Sequence, residues 1–101
     1  MSKSALFIIH RARPGRRDEV RDVWLRHMRP AVEGNPAHLA YFYCYDAVEP
    51  DVIRVFQQYT DEAAAAQFLT TDAYAGYVAE VEPLLAAPPE VHPATPVWAK
   101  A

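Results

Sequence analysis

The sequence predicts an α+β fold in which the elements follow the ferredoxin-like order βαββαβ, with both helices on one face of a four-stranded antiparallel sheet. Three observations lead to this prediction. Segments of helical periodicity alternate with segments rich in β-branched and aromatic residues. Two of the β segments are separated only by a short turn. A chain of 101 residues, 51% of them apolar, has room for one core, so we expect residues 1–101 to form a single domain.

The first strand and the first helix are separated by a proline–glycine turn. Residues 4–12 are apolar at consecutive positions and stop at Arg13-Pro14-Gly15, which predicts a strand followed by a turn. From Arg16 the apolar residues recur at helical spacing. This stripe consists of Val20, Val23, Trp24, His27, Met28 and Ala31. Gly34-Asn35-Pro36 is predicted to end the helix, because glycine suits a left-handed C-terminal position and proline cannot continue a helix.

The next two segments, residues 38–46 and 52–59, are predicted to form an antiparallel hairpin. Large apolar residues occupy both faces of the predicted sheet: in strand one, Phe7 and Ile9 point one way and Ile8 the other. Burial of each such side chain contributes about 1.5–3 kcal/mol, so a face left in water would forgo much of the stability of a small domain. This second apolar face predicts an interface, and a two-fold homodimer is its commonest closed form.

The last third of the chain predicts a helical region and a weak strand. Thr60 or Asp61 is expected to cap residues 61–85, which form one broken helix or two short ones. Residues 90–100 hold valines and a tryptophan among prolines, a composition typical of a frayed edge strand. These segments complete the βαββαβ order.

Charge and composition exclude several classes of function. Ten basic and 13 acidic residues give a net charge of −3, without the sustained basic face that nucleic acid requires. One cysteine and four scattered histidines form neither an internal disulfide nor a zinc motif, and we expect a reducing cytoplasm. No stretch approaches the roughly 20 apolar residues that span a membrane, and no glycine-rich phosphate loop is present. The sequence therefore predicts no metal, no cofactor, and neither a nucleic-acid nor a membrane partner.

Residues 50–85 resemble the antibiotic biosynthesis monooxygenase family of dimeric α+β barrels, in the segment PDVIRVFQQYTDEAAAAQFLTTDAYAGYVAEVEPLL. The preceding segments RPGRRDEVRDVW and HLAYFYCYD also follow the layout of that family. The resemblance implies a homodimer joined sheet to sheet, a pocket between sheet and helices, and often cofactor-free oxidation of quinols or aromatic polyketides by O2. Many quinol-oxidising members carry a Glu and a His, and often a second His, at places that read Gln57, Phe68 and Ala73 here, so their mechanism does not transfer directly.

The candidate catalytic residues are His27 and Tyr43. His27 lies on the apolar stripe of the first helix, which is expected to turn its imidazole towards the pocket as a base for a phenolic substrate. The alternative is a half-buried histidine bonded to a backbone carbonyl or covering the helix end. Tyr43 shares a strand face with Tyr41 and Tyr45, where their hydroxyl groups could donate to a substrate oxygen or instead form the rim of a dimer interface. The residues expected to bind substrate are Trp24, Met28, Tyr41, Gln57, Tyr59, Phe68 and Tyr74.

Three other side chains have less specific expectations. His10 is predicted to be either a group at the pocket mouth or an exposed residue at the end of a strand. His38 follows a proline turn and is expected at the surface. Cys44 has aromatic neighbours and no basic residue nearby in sequence, so it is expected to be a small apolar filler rather than a nucleophile.

The function predicted from these residues is a cofactor-independent monooxygenase, or a related pocket enzyme, acting on a small aromatic, quinol or polyketide-like molecule. A deprotonated phenol or enol can give an electron to O2 without flavin or metal, so the protein need supply only a dry pocket, a base and hydrogen-bond donors. Two alternatives stay open: a ligand-binding protein without the chemistry, and an isomerase, cyclase or decarboxylase on the same scaffold.

Overall fold

The computed structural model describes residues 3–100 as an antiparallel sheet covered on one face by helices. The elements are β1 (Ser4–Arg11), α1 (Arg17–Glu33), β2 (His38–Tyr45), β3 (Val52–Tyr59), α2 (Glu62–Phe68), α3 (Asp72–Val81), a 3-10 turn (Glu82–Leu84) and β4 (Glu90–Ala94). The strand order across the sheet is β2-β3-β1-β4, and every neighbouring pair is antiparallel. The predicted α+β fold and βαββαβ order are confirmed. Among the helices of residues 3–100, none has the length and hydropathy that a membrane-spanning segment requires.

The two ends of α1 differ in how far they follow the sequence prediction. The turn before it contains Gly15, whose φ of 77° suits glycine because glycine has no Cβ. The helix then continues through Pro30 and ends at Gly34. The expected left-handed glycine at this end is wrong, because Gly34 has a φ of −86° and donates its N–H to the carbonyl of Pro30 at 3.0 Å, as in an ordinary last turn.

The helical region 61–85 is two helices rather than one. The Asp61 carboxylate accepts a hydrogen bond from the N–H of Ala64 at 2.8 Å and caps α2. The Thr71 hydroxyl accepts one from the N–H of Tyr74 at 3.3 Å and caps α3. A cap residue has non-helical backbone angles, so the second cap requires the chain to leave the helix before α3 begins.

The edge strand β4 is shorter than the sequence predicts. It pairs with β1 from Glu90 to Ala94, and the residues beyond Ala94 form no strand up to residue 100. Val97 and Trp98, which the sequence assigns to this strand, are 97% and 81% exposed. The last pair joins Ala94 to Ala5, one residue from the start of β1 at Ser4, so the partner strand itself runs out here.

The two faces of the sheet have different surroundings. On the face covered by helices, Ile53 and Tyr59 are almost completely buried. On the outer face, Phe7 and Phe42 are 49% and 59% exposed. The ring centroid of Phe56 lies 5.0 Å from that of Phe7 and 6.0 Å from that of Phe42, so the three rings form one aromatic patch. The prediction that both faces are apolar is confirmed.

Substitution of Ile53 by alanine tests the position of the core. Ile53 is fully buried, so Ile53→Ala is expected to lower the free energy of unfolding by about 2–5 kcal/mol, through lost transfer energy and a new cavity. Urea denaturation followed by circular dichroism measures this change. Val97→Ala is the control, because Val97 is exposed and its loss should change stability by less than about 0.5 kcal/mol. Equal effects of the two substitutions would contradict the burial of Ile53.

Candidate functional site

A cavity of about 220 Å³ lies between the helix-facing side of the sheet and α3. Its wall is mostly apolar, with Met28 from α1, Phe68 from α2 and Val78 from α3 above the strands. An engineered cavity of about 150 Å³ with a similar apolar wall holds benzene, so the larger volume here suits a ligand of one or two fused rings.

The floor of the cavity is set by the pairing register of the strands. Leu6 pairs with Gln57, and Gln57 pairs with Tyr41, so these side chains form one row on the helix-facing side. His10 pairs with Ile53, four residues away along each strand. At about 3.3 Å per residue, roughly 13 Å of strand separates the backbone of His10 from that of Gln57. The two buried polar residues therefore lie towards opposite ends of the cavity.

His10 is a buried imidazole on the cavity wall. It is 7% exposed, and its Nδ1 has no hydrogen-bond partner. Burial lowers the pKa of His10 from 6.5 to about 4, because the imidazolium would lose its hydration. The ring is therefore neutral at physiological pH. The sequence left His10 between a pocket position and an exposed one, and its shared strand face with Leu6 and Ile8 was the signal for the first.

Gln57, at the other end, is hydrogen-bonded to His38, which is in turn hydrogen-bonded to Asn35. His38 Nε2 lies 3.1 Å from Gln57 Oε1, and Asn35 Nδ2 lies 2.9 Å from His38 Nδ1. The expected surface position of His38 is wrong. A bulge between His38 and Ala40 shifts the strand register, so that His38 pairs with Tyr59 and faces the helices. Burial lowers the pKa of His38.

Four tyrosines line the cavity: Tyr41, Tyr59, Tyr74 and Tyr77. Burial raises the pKa of Tyr41 to about 12 and raises the pKa values of Tyr59 and Tyr77 still further, so these phenols stay protonated at physiological pH. The Tyr41 hydroxyl accepts a hydrogen bond from the indole N–H of Trp24 at 3.0 Å. The Tyr77 hydroxyl is buried without a partner. The wall thus holds neutral phenols rather than phenolates.

Six of the nine residues that the sequence singles out for the site line this cavity. They are Met28, Tyr41, Gln57, Tyr59, Phe68 and Tyr74. The structure brings them together, and their role in substrate binding stays a prediction. Within residues 3–100, no three His, Cys, Asp or Glu side chains are placed to hold a metal ion. That observation leaves the predicted absence of a cofactor untested.

His27 does not line the cavity. Its Nε2 lies 2.6 Å from Glu80 Oε1, and its ring packs against Gly76, where an added Cβ would lie 3.0 Å from His27 Nδ1. The expectation that His27 turns towards the pocket is wrong, because its side chain lies instead between α1 and α3. The half-buried alternative is closer to the structure, although the partner of His27 is a carboxylate rather than a backbone carbonyl.

Tyr43 and Trp24 also lie outside the cavity wall, in the core beneath α1. The ring centroid of Trp24 lies 4.7 Å from that of Tyr43 and 5.3 Å from that of Tyr41. The Tyr43 hydroxyl is buried without a partner, and burial raises its pKa. Tyr41, Tyr43 and Tyr45 pack on the helix-facing side, opposite the sheet face that is expected to pair in a dimer. Cys44 points the other way and is exposed, which corrects its prediction as a filler.

Solved structures share this fold over nearly the whole chain. A protein of Chloroflexus aurantiacus, provisionally named an antibiotic biosynthesis monooxygenase, is 25% identical, with a TM-score of 0.84 over 99% of this chain and 98% of its own. NE2512 of Nitrosomonas europaea, described as a protein of unknown function, is 27% identical, with a TM-score of 0.84 over 100% and 95% of the two chains. Rv0793 of Mycobacterium tuberculosis is 21% identical, with a TM-score of 0.86 over 99% and 100%.

The likeness extends from the fold to the sequence. A search of curated proteins finds no match for this chain. The family model described as antibiotic biosynthesis monooxygenase, however, matches residues 8–80, which run from β1 into α3. This match covers well over half of the 101 residues and confirms the resemblance drawn from residues 50–85. The chain belongs to the antibiotic biosynthesis monooxygenase family.

Proposed function

We propose that this protein is a cofactor-independent monooxygenase that oxidises a small aromatic, quinol or polyketide-like substrate with O2. The observation that carries this proposal is an apolar cavity of about 220 Å³ whose wall includes a buried, neutral imidazole and several protonated phenols. Membership of a family described by its monooxygenases supports an oxidative reaction. The volume supports a substrate of one or two fused rings.

The proposed reaction draws its electrons from the substrate. Removal of a proton from an activated carbon that is conjugated with a phenol or ketone leaves an electron-rich carbanion, which gives electrons to O2. A carbon–oxygen bond forms, and the resulting hydroperoxide loses water. One oxygen atom stays in the product as a carbonyl group and the other leaves as water, so each CH2 group converted to C=O consumes one O2 and releases one H2O. An apolar cavity protects the carbanion from protonation by solvent.

We assign the base to His10, in place of His27. Its imidazole rests neutral, so a ring nitrogen can accept the proton of the substrate. A pKa of about 4 makes His10 a weak base in the empty cavity. When the substrate anion forms beside the imidazolium, the attraction between them offsets the burial penalty and raises this pKa. The low polarity of the wall strengthens that attraction.

Oxygen uptake by metal-stripped protein tests the reaction and the base together. Dihydroxynaphthalenes are suitable substrates because they have two rings, and their keto tautomers carry the activated CH2 group that this reaction requires. His10→Gln is expected to lower kcat by roughly 100-fold or more, the usual contribution of a general base. His27→Gln is the matched control and should keep kcat close to wild type, because His27 lies outside the cavity. No uptake above heat-killed protein would contradict the function, and equal losses in the two variants would contradict the choice of base.

Burial of His10 also predicts acid sensitivity. The folded pKa of about 4 lies below the ordinary value of 6.5, so between these pH values the unfolded chain binds a proton that the folded chain does not. The free energy of unfolding should therefore fall as the pH drops through this window, by up to about 3 kcal/mol at about 1.4 kcal/mol per pKa unit. Urea denaturation across the window should show a smaller decrease for His10→Gln. Parallel curves for the two proteins would contradict a neutral buried imidazole.

We further propose that a second copy of the chain covers the outer face of the sheet. Phe7 and Phe42 are about half exposed there, and Phe56 joins them into one patch. Exposed apolar surface of this kind is costly in water, and two-fold pairing covers the same patch on both copies.

The oligomeric state of a charged variant tests this interface. Phe42→Glu places a carboxylate in the patch and is expected to convert a dimer into a monomer, since an unpaired charge is costly to bury. Leu25→Glu is the control, because Leu25 is an exposed apolar residue on α1, away from the sheet. Sedimentation velocity distinguishes the species. A monomeric wild type, or a Phe42→Glu dimer as stable as the wild-type dimer, would contradict the proposal.

A further inference from the structure

We infer that Gln57 presents its amide NH2 group to the cavity as an oriented hydrogen-bond donor for an oxygen of the ligand, and that Asn35 and His38 fix this orientation. We call the three side chains the Asn35–His38–Gln57 relay. The inference rests on the proposed function, in that the ligand is the oxygenated aromatic substrate, but it concerns binding and can be tested without turnover. Asn35 and His38 act as positioning residues.

The orientation of the relay starts at a backbone group that can only donate. The N–H of Ala37 donates to Asn35 Oδ1 at 3.2 Å. If the Asn35 amide were turned over, two donors would face each other, so its oxygen must face Ala37. The NH2 group of Asn35 is therefore the group that lies 2.9 Å from His38 Nδ1.

This contact decides which nitrogen of His38 carries the proton. Because Asn35 donates to Nδ1, Nδ1 must be the unprotonated nitrogen of a neutral imidazole, and the proton lies on Nε2. Burial favours the neutral ring by lowering its pKa. The ring is held by aromatic packing, with centroids 4.2 Å from Tyr59 and 4.7 Å from Phe68. His38 Nε2–H therefore donates to Gln57 Oε1 at 3.1 Å.

The amide nitrogen of Gln57 is then the group left for the cavity. Gln57 lines the cavity and is 5% exposed. Within residues 3–100, the side-chain atoms that are closed off without a partner are His10 Nδ1 and the hydroxyl oxygens of Tyr43 and Tyr77. Gln57 Nε2 is not one of these atoms. It also has no contact with His38, because His38 Nε2 is hydrogen-bonded to the amide oxygen of Gln57. The NH2 group thus faces the open space of the cavity.

The ligand that fits this donor carries an acceptor oxygen at the Gln57 end of a flat, two-ring frame. A ketone or phenolate oxygen meets this requirement. When a proton is lost from a ring carbon that is conjugated with a ketone, negative charge moves through the rings onto the oxygen, and a fixed donor stabilises that charge without having to reorganise. His10 lies roughly 13 Å away along the strands, so the proton acceptor and the oxygen donor would contact different parts of the ligand.

1-Tetralone and tetralin are a matched pair of probes for this donor. Both have two fused rings, and only 1-tetralone has a carbonyl group. Wild-type protein is expected to bind 1-tetralone more tightly by roughly 3- to 10-fold, the effect of one hydrogen bond, as measured by isothermal titration calorimetry. Gln57→Met keeps the length of the side chain without a donor and should abolish this preference. Tetralin should bind Gln57→Met about as well as wild type, which shows that the cavity is intact.

Asn35→Asp tests the relay from outside the cavity. An aspartate can accept from Ala37 and also from His38, so neutral His38 would carry its proton on Nδ1, and Gln57 would turn its oxygen to the cavity. At about pH 9 the 1-tetralone preference should then be lost, whereas towards about pH 5 the new carboxylate beside His38 stabilises the imidazolium, which keeps Nε2–H and the preference. The titratable groups facing His38 are the phenols of Tyr41 and Tyr59, whose pKa values burial raises to about 12 and above, so they do not change charge in this range.

Several results would overturn the inference. They are equal affinities of wild type for the two probes, failure of wild type to bind either, and a preference that survives in Gln57→Met or is independent of pH in Asn35→Asp. Failure of the proposed function is distinguishable. If the variants change the preference for 1-tetralone as predicted but no O2 uptake is found, the relay is supported and the monooxygenase function is contradicted. If O2 uptake is found but no variant changes the ratio of the affinities for 1-tetralone and tetralin, only the relay is contradicted.

Discussion

The pairing register of β1 with β3 is the constraint on which the rest of the structure depends. With Leu6 opposite Gln57 and His10 opposite Ile53, two polar side chains lie beneath the helices together with the apolar core. A slip of one residue would turn every side chain of a strand to the other face, exposing Ile53 and placing the charged Arg54 under the helices. The apolar contacts with α1 and α3 thus hold in place the polar residues that give the cavity its chemistry.

The buried polar residues differ in whether their hydrogen-bonding groups have partners in the protein. The amide oxygen of Gln57 accepts a hydrogen bond from His38, whose orientation is fixed by Asn35, and this leaves the amide nitrogen of Gln57 directed at the cavity. His10 Nδ1 and the Tyr77 hydroxyl have no partner within residues 3–100, and each buried polar group without a partner costs roughly 1–3 kcal/mol. The Gln57 amide nitrogen, by contrast, faces the open cavity, where a polar ligand can supply the partner that the protein lacks. The apolar remainder of the wall fits an aromatic frame.

The sequence predicts the fold well, because alternation and helical spacing report which face of an element is buried. It predicts the site less well, because burial does not say what a side chain contacts. His27 belongs to the buried stripe of α1, yet that stripe also covers the groove next to Glu80. For His38, a single bulged residue reverses the strand parity, and nothing in the local sequence marks the bulge. His10 could have been predicted to line the cavity, because it lies on the same strand face as Leu6 and Ile8. The relay, in contrast, depends on atom-level contacts that only the structure shows.

The central claim is that the cavity beneath α3 is where this protein binds its substrate and directs an oxygen atom of that substrate. A crystal structure of the protein with 1-tetralone tests this most directly. The account predicts the two rings between Met28 and Tyr74, with the carbonyl oxygen within hydrogen-bond distance of Gln57 Nε2 and away from His27. Rings bound only on the outer face of the sheet or beside His27, or a carbonyl directed away from Gln57, would contradict it.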